Sequence, residues 1–142
     1  MPEIIMRGPL FTKPNKIVRD VTKAFVQRIV EQGEQRLDEM LRPRPQGVYL
    51  SVQEARSRGN KGSRGHYARH IEGSVNPASL EGVIHDSKVV YGPWLEGTSS
   101  RNNTTQFKGY ASFRKTKDWM DKQVRIMRKE FEKRYARKLN GV

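Results

Sequence analysis

The sequence predicts an α+β fold with a small antiparallel sheet, two long helices and an extended N-terminal arm. Two long stretches place apolar residues at helical spacing. Three short stretches between them have strand character and are separated by turn residues. Prolines at positions 2, 9 and 14 exclude a helix from the first 14 residues. Because 142 residues is the size of one domain, we expect residues 1–142 to share a single core.

Residues 1–14 form the predicted arm. Its apolar cluster consists of Ile4, Ile5, Met6, Leu10 and Phe11. Such an arm either adds a strand to a sheet or lies on a neighbouring subunit, and the alternative is a flexible terminus. The residues alone favour neither interpretation.

The first helix is predicted to start after Asn15, whose side chain can cap the free amides of a first turn. Its apolar stripe consists of Val18, Val21, Phe25, Ile29, Gly33, Leu37 and Met40, and it is widened by Val26, Val30 and Leu41. A stripe of this width suits packing against a sheet or a second helix. Gly33 indicates a tolerated weak position, a bend or a close approach by another chain. The prolines of residues 42–45 predict the end of the helix.

Residues 47–65 carry two competing patterns and then a basic loop. Residues 47–53 alternate as a strand does, whereas Ser51 with Glu54 is the capping-box pattern of a short helix through Arg56, so both structures stay open. Residues 56–65 contain four basic residues, three glycines and no acidic or apolar side chain, which predicts a flexible loop. A solvated surface loop is the commoner outcome for such a sequence. The alternative is a loop that contacts phosphates, and its DNA-facing residues would be Arg56, Arg58, Lys61 and Arg64.

Three segments with strand character follow, at residues 66–73, 80–86 and 88–92, and they predict a β-meander. Pro93 would stop the last strand because it has no amide hydrogen.

The last helix is predicted to start at Thr116 as its cap and to stop at Asn140-Gly141. Its core stripe consists of Met120, Val124, Met127, Phe131, Tyr135 and Leu139. Trp119 and Ile126 fall away from that stripe and form a second apolar line. We expect one line to serve the core and the other to serve a partner.

The net charge of +13 and the pI near 10.3 favour a polyanionic neighbour, either nucleic acid or an acidic protein surface. The absence of cysteine excludes disulfide scaffolds, thiolate metal sites and cysteine nucleophiles. No apolar run has the length of a signal peptide or of a membrane span, so the sequence predicts neither secretion nor membrane insertion.

No residue pattern predicts catalysis, and we expect no enzyme, cofactor or metal. His66 and His70 would form a metal pair only in a helix, and they fall in a predicted strand. His85, Asp86 and Ser87 are the residue types of a hydrolase triad, but consecutive residues cannot converge in that geometry. No motif places two glutamates around a cleft as acid and base, so we expect structural roles for Glu72, Glu81 and Glu96.

The basic last helix supports one alternative, a nucleic-acid-binding protein that acts on its own. Its basic residues include Arg125, Arg128, Lys129, Lys133, Arg134, Arg137 and Lys138. They could contact phosphates, although no zinc-finger, homeodomain or RNA-recognition signature accompanies them.

The string VVYGPWLEGTSSRNNTTQFKGYASF at residues 89–113 is the most specific part of the sequence. It resembles the neck or tail-completion proteins of long-tailed bacteriophages, which are head-to-tail connectors also called tail components or minor tail proteins. The sequence of this stretch is similar to the form of the family found in phages of actinobacteria. The resemblance covers residues 80–135. Its matching positions are Tyr91, Trp94, Glu96, Gly97, Thr98, Phe107 and Phe113.

The resemblance implies a virion structural protein in which two helices pack on a small antiparallel sheet. It implies a homo-oligomeric ring of six copies at the head–tail junction, between head-closure or connector proteins and the tail terminator or tail tube. Double-stranded DNA would pass through the ring without sequence-specific contacts, and assembly would take place in the bacterial host cytoplasm. A tail terminator or another minor tail protein is the alternative within the virion.

The resemblance also implies contact roles for the string. Trp94 and Tyr91 would anchor it by burial, while Glu96 and Arg101 would hold it by hydrogen bonds or pairing within or between subunits. Residues 97–106 would project towards a neighbouring ring. The full set of predicted interface or structural residues is Tyr91, Trp94, Glu96, Gly97, Thr98, Arg101, Asn102, Phe107, Tyr110, Phe113, Trp119 and Ile126.

Overall fold

The structure is a computed structural model that describes residues 2–5, 16–45, 47–59 and 65–139. Within these ranges the elements are β1 (Glu3–Ile5), α1 (Lys16–Met40), α2 (Val52–Ser57), β2 (Glu72–Asn76), β3 (Glu81–His85), α3 (Gly92–Glu96), α4 (Arg101–Thr104) and α5 (Ser112–Leu139). A single 3-10 turn, Ala68–His70, precedes β2. The predicted α+β class with two long helices is confirmed.

The sheet has three antiparallel strands, with β3 in the centre between β1 and β2. Ile4 lies opposite Ile84 in one pair, and Gly73 lies opposite Ile84 in the other. Ile4 and Ile84 are buried, and Gly73 faces Val30 of α1. Because side chains alternate across a strand, these residues mark the inner face of the sheet, which the helices cover.

The third strand comes from the N-terminal arm, so the predicted strand at residues 88–92 is wrong. Ser87 and Lys88 have left-handed backbone conformations (φ 56° and 59°), which turn the chain away from the sheet directly after β3. Val90 is then 96% exposed. The prediction that the arm adds a strand is confirmed for residues 3–5, and its other apolar residues, Met6, Leu10 and Phe11, lie outside the described residues.

The helices α1 and α5 run antiparallel and cover the inner face of the sheet together. The rings of Phe25 and Phe131 lie 4.9 Å apart near one end of the pair. Near the other end, the hydroxyl of Thr116 donates to the sulfur of Met40 over 3.4 Å. Helix α1 packs on β2 and β3, while α5 contacts β1. The largest fully buried side chains include Ile29, Leu37, Leu41, Leu80 and Ile84.

Gly33 lies where α1 packs against both the sheet and α5. A Cβ atom at this position would overlap the side chains of Ile84 and Met120. The close approach that Gly33 predicted therefore exists, but the approaching groups belong to the same chain.

The connection after α1 contains the short helix rather than a strand. The side chain of Ser51 caps α2 by accepting a hydrogen bond from the amide of Glu54 over 3.1 Å. Helix α2 includes Arg56 and Ser57, so the predicted loop at residues 56–65 begins at Arg58 instead.

Helix α5 begins at Ser112, four residues before the predicted cap. Thr116 is fully buried inside the helix and hydrogen-bonded to Met40, so it is not a cap. The predicted start at Thr116 is wrong because a carboxylate distant in sequence caps the helix, as described below. Asn15 and residues 140–141, the other predicted helix ends, lie outside the described residues.

Candidate contact site

Residues 91–113, here called the aromatic segment, start from a turn that a buried carboxylate holds. Asp86 is fully buried at the end of β3, and the hydroxyl of Tyr67 donates a hydrogen bond to its Oδ2 over 3.1 Å. The Oδ1 atom accepts a hydrogen bond from the amide of Lys88, also over 3.1 Å. A Cβ atom on Gly92 would overlap the same carboxylate. Asp86 therefore fixes the point where the aromatic segment leaves the sheet.

Two glycines close the base of the loop that follows α3. Helix α3 has Pro93 in its first turn, where a missing amide hydrogen is tolerated, and it ends at Gly97 in the left-handed conformation (φ 99°). Gly97 lies directly against Gly109, and a Cβ atom on either residue would overlap the opposite backbone. The amide of Tyr110 donates to the carbonyl oxygen of Leu95 over 2.7 Å. The two ends of the loop are thus joined through the backbone.

Asn102 holds the inside of this loop. It is 3% exposed, and its Nδ2 donates to the carbonyl oxygens of Trp94 (3.0 Å) and Phe107 (3.1 Å). Its Oδ1 accepts a hydrogen bond from the amide of Ser99 over 3.0 Å. The ammonium of Lys108 donates to the backbone carbonyl oxygen of Asn102 over 2.8 Å. A side-chain amide provides two donors and one acceptor group, and all are used here.

Half-buried aromatic rings form a row along the segment. The centroids of Trp94 and Phe107 lie 4.7 Å apart, those of Phe107 and Tyr110 lie 4.9 Å apart, and those of Tyr110 and Tyr49 lie 5.3 Å apart. The guanidinium of Arg101 lies 5.7 Å from the centroid of Trp94. These separations are typical of favourable ring pairs and cation–π contacts. The row joins the segment to the connection between α1 and α2.

Glu96 links the segment to the last helix. Its Oε2 accepts a hydrogen bond from the amide of Phe113 over 2.9 Å, and its Oε1 accepts one from the amide of Arg114 over 3.0 Å. These amides belong to the first turn of α5, where a negative charge is also favourable against the helix dipole. Phe113 is 4% exposed and packs in the core. Glu96 is therefore the cap of α5, and it acts within its own chain.

The predicted role of Tyr91 differs from what the structure shows. Tyr91 is 39% exposed, and its ring lies 6.0 Å from that of His66 and 5.9 Å from that of Tyr67. Burial therefore does not anchor Tyr91, whereas Trp94 is half-buried in the row. The guanidinium of Arg101 lies over the ring of Trp94, and its pairing within or between subunits stays a prediction.

Residues 97–106 fold back on themselves around α4 instead of extending. The side chains on the outer surface of this loop are Thr98, Ser100, Arg101, Asn103, Thr104 and Gln106. They form the exposed rim of the aromatic segment. That this rim contacts a neighbouring ring stays a prediction.

The remaining predicted interface and DNA-facing residues lie apart from the aromatic segment. Trp119 is half-buried on α5, with the guanidinium of Arg36 5.4 Å from its ring centroid, whereas Ile126 is 68% exposed. Arg56 is exposed on α2, and Arg58 pairs with Glu54 over 3.2 Å. Lys61 and Arg64 lie outside the described residues. The predicted interface and DNA-facing residues that the structure describes therefore lie in three regions, namely the aromatic segment, α5 and α2.

The histidines come closer than predicted, because residues 66–70 form turns and not a strand. The rings of His66 and His70 lie 4.5 Å apart, and Nδ1 of His70 lies 2.7 Å from the carbonyl oxygen of His66. In the described part of the chain, no group of three His, Cys, Asp or Glu side chains is placed to hold a metal ion. The amide of Ser87 donates to Nδ1 of His85 over 2.9 Å, a local turn contact rather than a triad.

Sequence reasoning missed three residues that position the segment, namely Tyr49, Tyr67 and Asp86. An aspartate at a strand end followed by Ser-Lys is a recognisable signal for a side-chain turn. Tyr49 and Tyr67 had no such signal, because their partners are distant in sequence.

Burial raises the pKa of both Tyr67 and Tyr49 above the ordinary value of 10.0. For Tyr67 the second cause is the adjacent Asp86 carboxylate, and for Tyr49 it is Tyr110. Both phenols are therefore held in the neutral form, in which the hydroxyl of Tyr67 can donate to Asp86.

Comparisons with protein-family models, with curated proteins and with solved structures find no match. Across the described residues, no helix combines the length and the apolar character needed to cross a membrane.

Proposed function

We propose that this chain is a virion structural protein that forms a ring at the head–tail junction of a long-tailed bacteriophage and joins the DNA-filled head to the tail. The observation that carries the proposal is the aromatic segment. The residues on which the resemblance to neck proteins rests form one locked unit, capped onto α5 by Glu96 and closed at its base by Gly97 and Gly109. A unit held in this way suits a fixed contact surface.

The fold supports the same proposal. Two long helices pack on one face of a small antiparallel sheet, which is the architecture that the resemblance implies. The net charge of +13 suits a protein that surrounds passing DNA. Hydrophobic residues make up 35% of the chain, so subunit contacts would add to a modest core.

In this proposal the segment works as a rigid contact element. The row from Trp94 to Tyr49 and the bonds of Asn102 set the shape of the loop before assembly, so little conformational entropy is lost when a neighbour docks on the rim. The contact residues would be the exposed ones, while Trp94 and Asn102 act by holding them in place.

The test is assembly of phage particles with variant protein. Trp94→Ala should remove part of the about 3–5 kcal/mol that a fully buried large aromatic contributes, because this ring is half-buried, and it should yield tailless heads or unattached tails. Because that variant can also fail to fold, Asn103→Arg with Thr104→Arg is a second variant, which places bulk and charge on the exposed rim. Ser79→Arg, at the exposed β2–β3 turn, is the matched control.

The rim variant should fold normally and still block joining of heads to tails, whereas Ser79→Arg should not block it. Normal joining by the rim variant would contradict the contact role of the loop. If particles with Trp94→Ala join heads to tails normally, the aromatic segment does not have the proposed contact role.

One observation favours a second function, a nucleic-acid-binding protein that acts on its own. Basic side chains line the outer side of α5, among them Lys122, Lys129 and Lys133. A salt titration of DNA binding by the purified chain separates the two. Submicromolar binding near physiological salt with a steep salt dependence would favour the second function, while weak binding with self-assembly into rings would favour the neck protein.

A further inference from the structure

The outer face of the sheet is acidic although the chain is strongly basic. The register places Glu3, His85 and Glu72 side by side across the three strands, and their inward neighbours Ile4 and Ile84 are buried. The next outward row consists of Ile5, Val83 and Ser74. The strand residues on this face include no lysine or arginine. The outer face therefore combines carboxylates with a small, half-buried apolar centre.

The outer side of α5 has the opposite character. Residues spaced by three, four or seven positions share one side of a helix. The exposed basic residues on this side and the isoleucine among them, here called the basic line, are Lys115, Lys122, Ile126, Lys129, Lys133 and Arg137. The same spacing places Asp118, Trp119 and Glu130 along the edges of this line.

Among the described residues, none of the charged members of the basic line forms an ion pair. The acidic residues of α5 that do pair contact other partners: Asp121 pairs with Lys117, Glu132 with Arg128, and Glu130 with Arg28 and Arg134. Ile126, in the middle of the line, is 68% exposed. The basic line is therefore an apolar centre flanked by unpaired positive charge.

The two surfaces match in sign and in the spacing of their charges. Glu3 and Glu72 lie on the two outer strands of one cross-strand row, about 10 Å apart at about 4.8 Å per strand. Lys122 and Lys129 are also about 10 Å apart, at about 1.5 Å per residue along α5. A helix that crosses the strands can therefore place these lysines opposite Glu3 and Glu72, with Ile126 beside the adjacent row of Ile5 and Val83.

We propose that the outer sheet face of one copy binds the basic line of α5 in the next copy. The helices cover the inner sheet face, so the two surfaces lie on different sides of the chain and the contact is head-to-tail. Contacts of this kind close into rings when the rotation between copies permits it. The inference rests on the proposed ring and identifies which surfaces build it.

The exposed isoleucine decides against DNA as the occupant of this line. Phosphate backbones select positive charge and hydrogen-bond donors, and an apolar side chain at the centre contributes nothing to them. A protein face with its own apolar centre uses Ile126 as well as the lysines.

The experiment measures the mass of the purified full chain by sedimentation over a concentration series, together with DNA binding. The variants are Lys122→Glu/Lys129→Glu on the basic line, Glu3→Lys/Glu72→Lys on the sheet, and the four changes combined. Lys16→Glu/Lys23→Glu, at exposed positions of α1, is the control with the same change of charge as the first variant.

We expect the native chain and the α1 control to assemble. Each face variant should lose assembly by tenfold or more in dissociation constant, and the combined variant should regain it because both signs are reversed. If the native chain assembles and the basic-line variant assembles equally well, the proposed interface is overturned while the ring stands. Loss of DNA binding in that variant would then identify the line as a DNA surface. If the native chain stays monomeric over the whole concentration series, the proposed ring is wrong.

Discussion

The aromatic segment and the outer side of α5 differ in how regular their backbone is and in how many contacts their side chains make within the chain. The segment contains only short helices, α3 and α4, with irregular backbone between them, yet side-chain hydrogen bonds and a glycine contact hold several of its bends. Helix α5 is regular over 28 residues, yet the basic line along its outer side has no ion-pair partner among the described residues. One region is defined by contacts within the chain, and the other is regular and leaves its surface available.

This difference teaches where single substitutions should act. Irregular backbone has no repeating ladder to share a loss, so removing one side chain leaves several polar groups unpaired. A helix keeps its backbone bonds when a surface side chain changes, so the effect appears in association rather than stability. Four substitutions test the contrast, in order of decreasing effect on stability.

Asn102→Ala should lower the free energy of unfolding by about 3 kcal/mol, because it removes three side-chain hydrogen bonds inside the loop. Urea unfolding of the purified chain measures this. Asn103→Ala changes the exposed neighbour and should stay within about 0.5 kcal/mol of the native chain. Equal stability of the two variants would show that the loop is not held from inside.

Glu96→Ala should cost about 1–2 kcal/mol, because two amides of the first turn of α5 lose their acceptor. Glu96→Gln keeps one acceptor oxygen without the charge and should lose less. Hydrogen exchange at the amides of Phe113 and Arg114 should become faster in the order native, Gln, Ala. Unchanged exchange in Glu96→Ala would exclude the carboxylate as the cap.

Tyr67→Phe should cost about 1 kcal/mol at neutral pH, because the buried Asp86 loses a donor. The pH dependence gives a second measurement. The folded-state pKa of Tyr67 is raised above the unfolded value of 10.0, so the stabilisation is present below pH 10 and is lost as pH rises above it.

The Phe variant should therefore lose less stability than the native chain as pH rises from about 10 upward. Some alkaline sensitivity should remain, since Tyr49 also has a raised pKa. Parallel pH profiles of the two proteins would show that Tyr67 is not held in its neutral form.

Ile126→Ser should change the free energy of unfolding by less than about 0.5 kcal/mol, because this side chain is 68% exposed. Its self-association should weaken by about tenfold, the loss expected from one buried aliphatic contact. Met127→Ser changes the adjacent but buried residue and should destabilise the fold by several kcal/mol, about 2–5. If Ile126→Ser unfolds as readily as Met127→Ser, the contrast between the two regions fails.

The helices were predictable because their signals are periodic and local. The stripe from Val21 to Leu37 repeats over several turns, and so does the stripe of α5, so a misread residue changes little. The side chain of Ser51 was a correct local signal as well, although the alternation beside it allowed a strand.

The candidate site was only partly predictable because its decisive contacts join distant residues. Glu96 caps a helix that starts 16 residues later, and no local pattern at Ser112 announces it. Residues 89–91 have strand propensity, but Asp86 and the left-handed residues after it turn them outwards. The aromatic residues were identified, whereas Asn102 was named without its role at the centre of the loop.

The pairing of β1 with β3 has a consequence for the order in which the chain folds. Glu3 lies opposite His85, 82 positions further along the chain, whereas β2 and β3 are joined by a short turn. Closing a long loop costs more entropy than closing a hairpin, so we expect the hairpin to form first. During synthesis the arm is made before its partner strand β3, which follows much later in the chain. The residues of the arm are therefore among the last to find their place, and their docking marks the completion of the sheet.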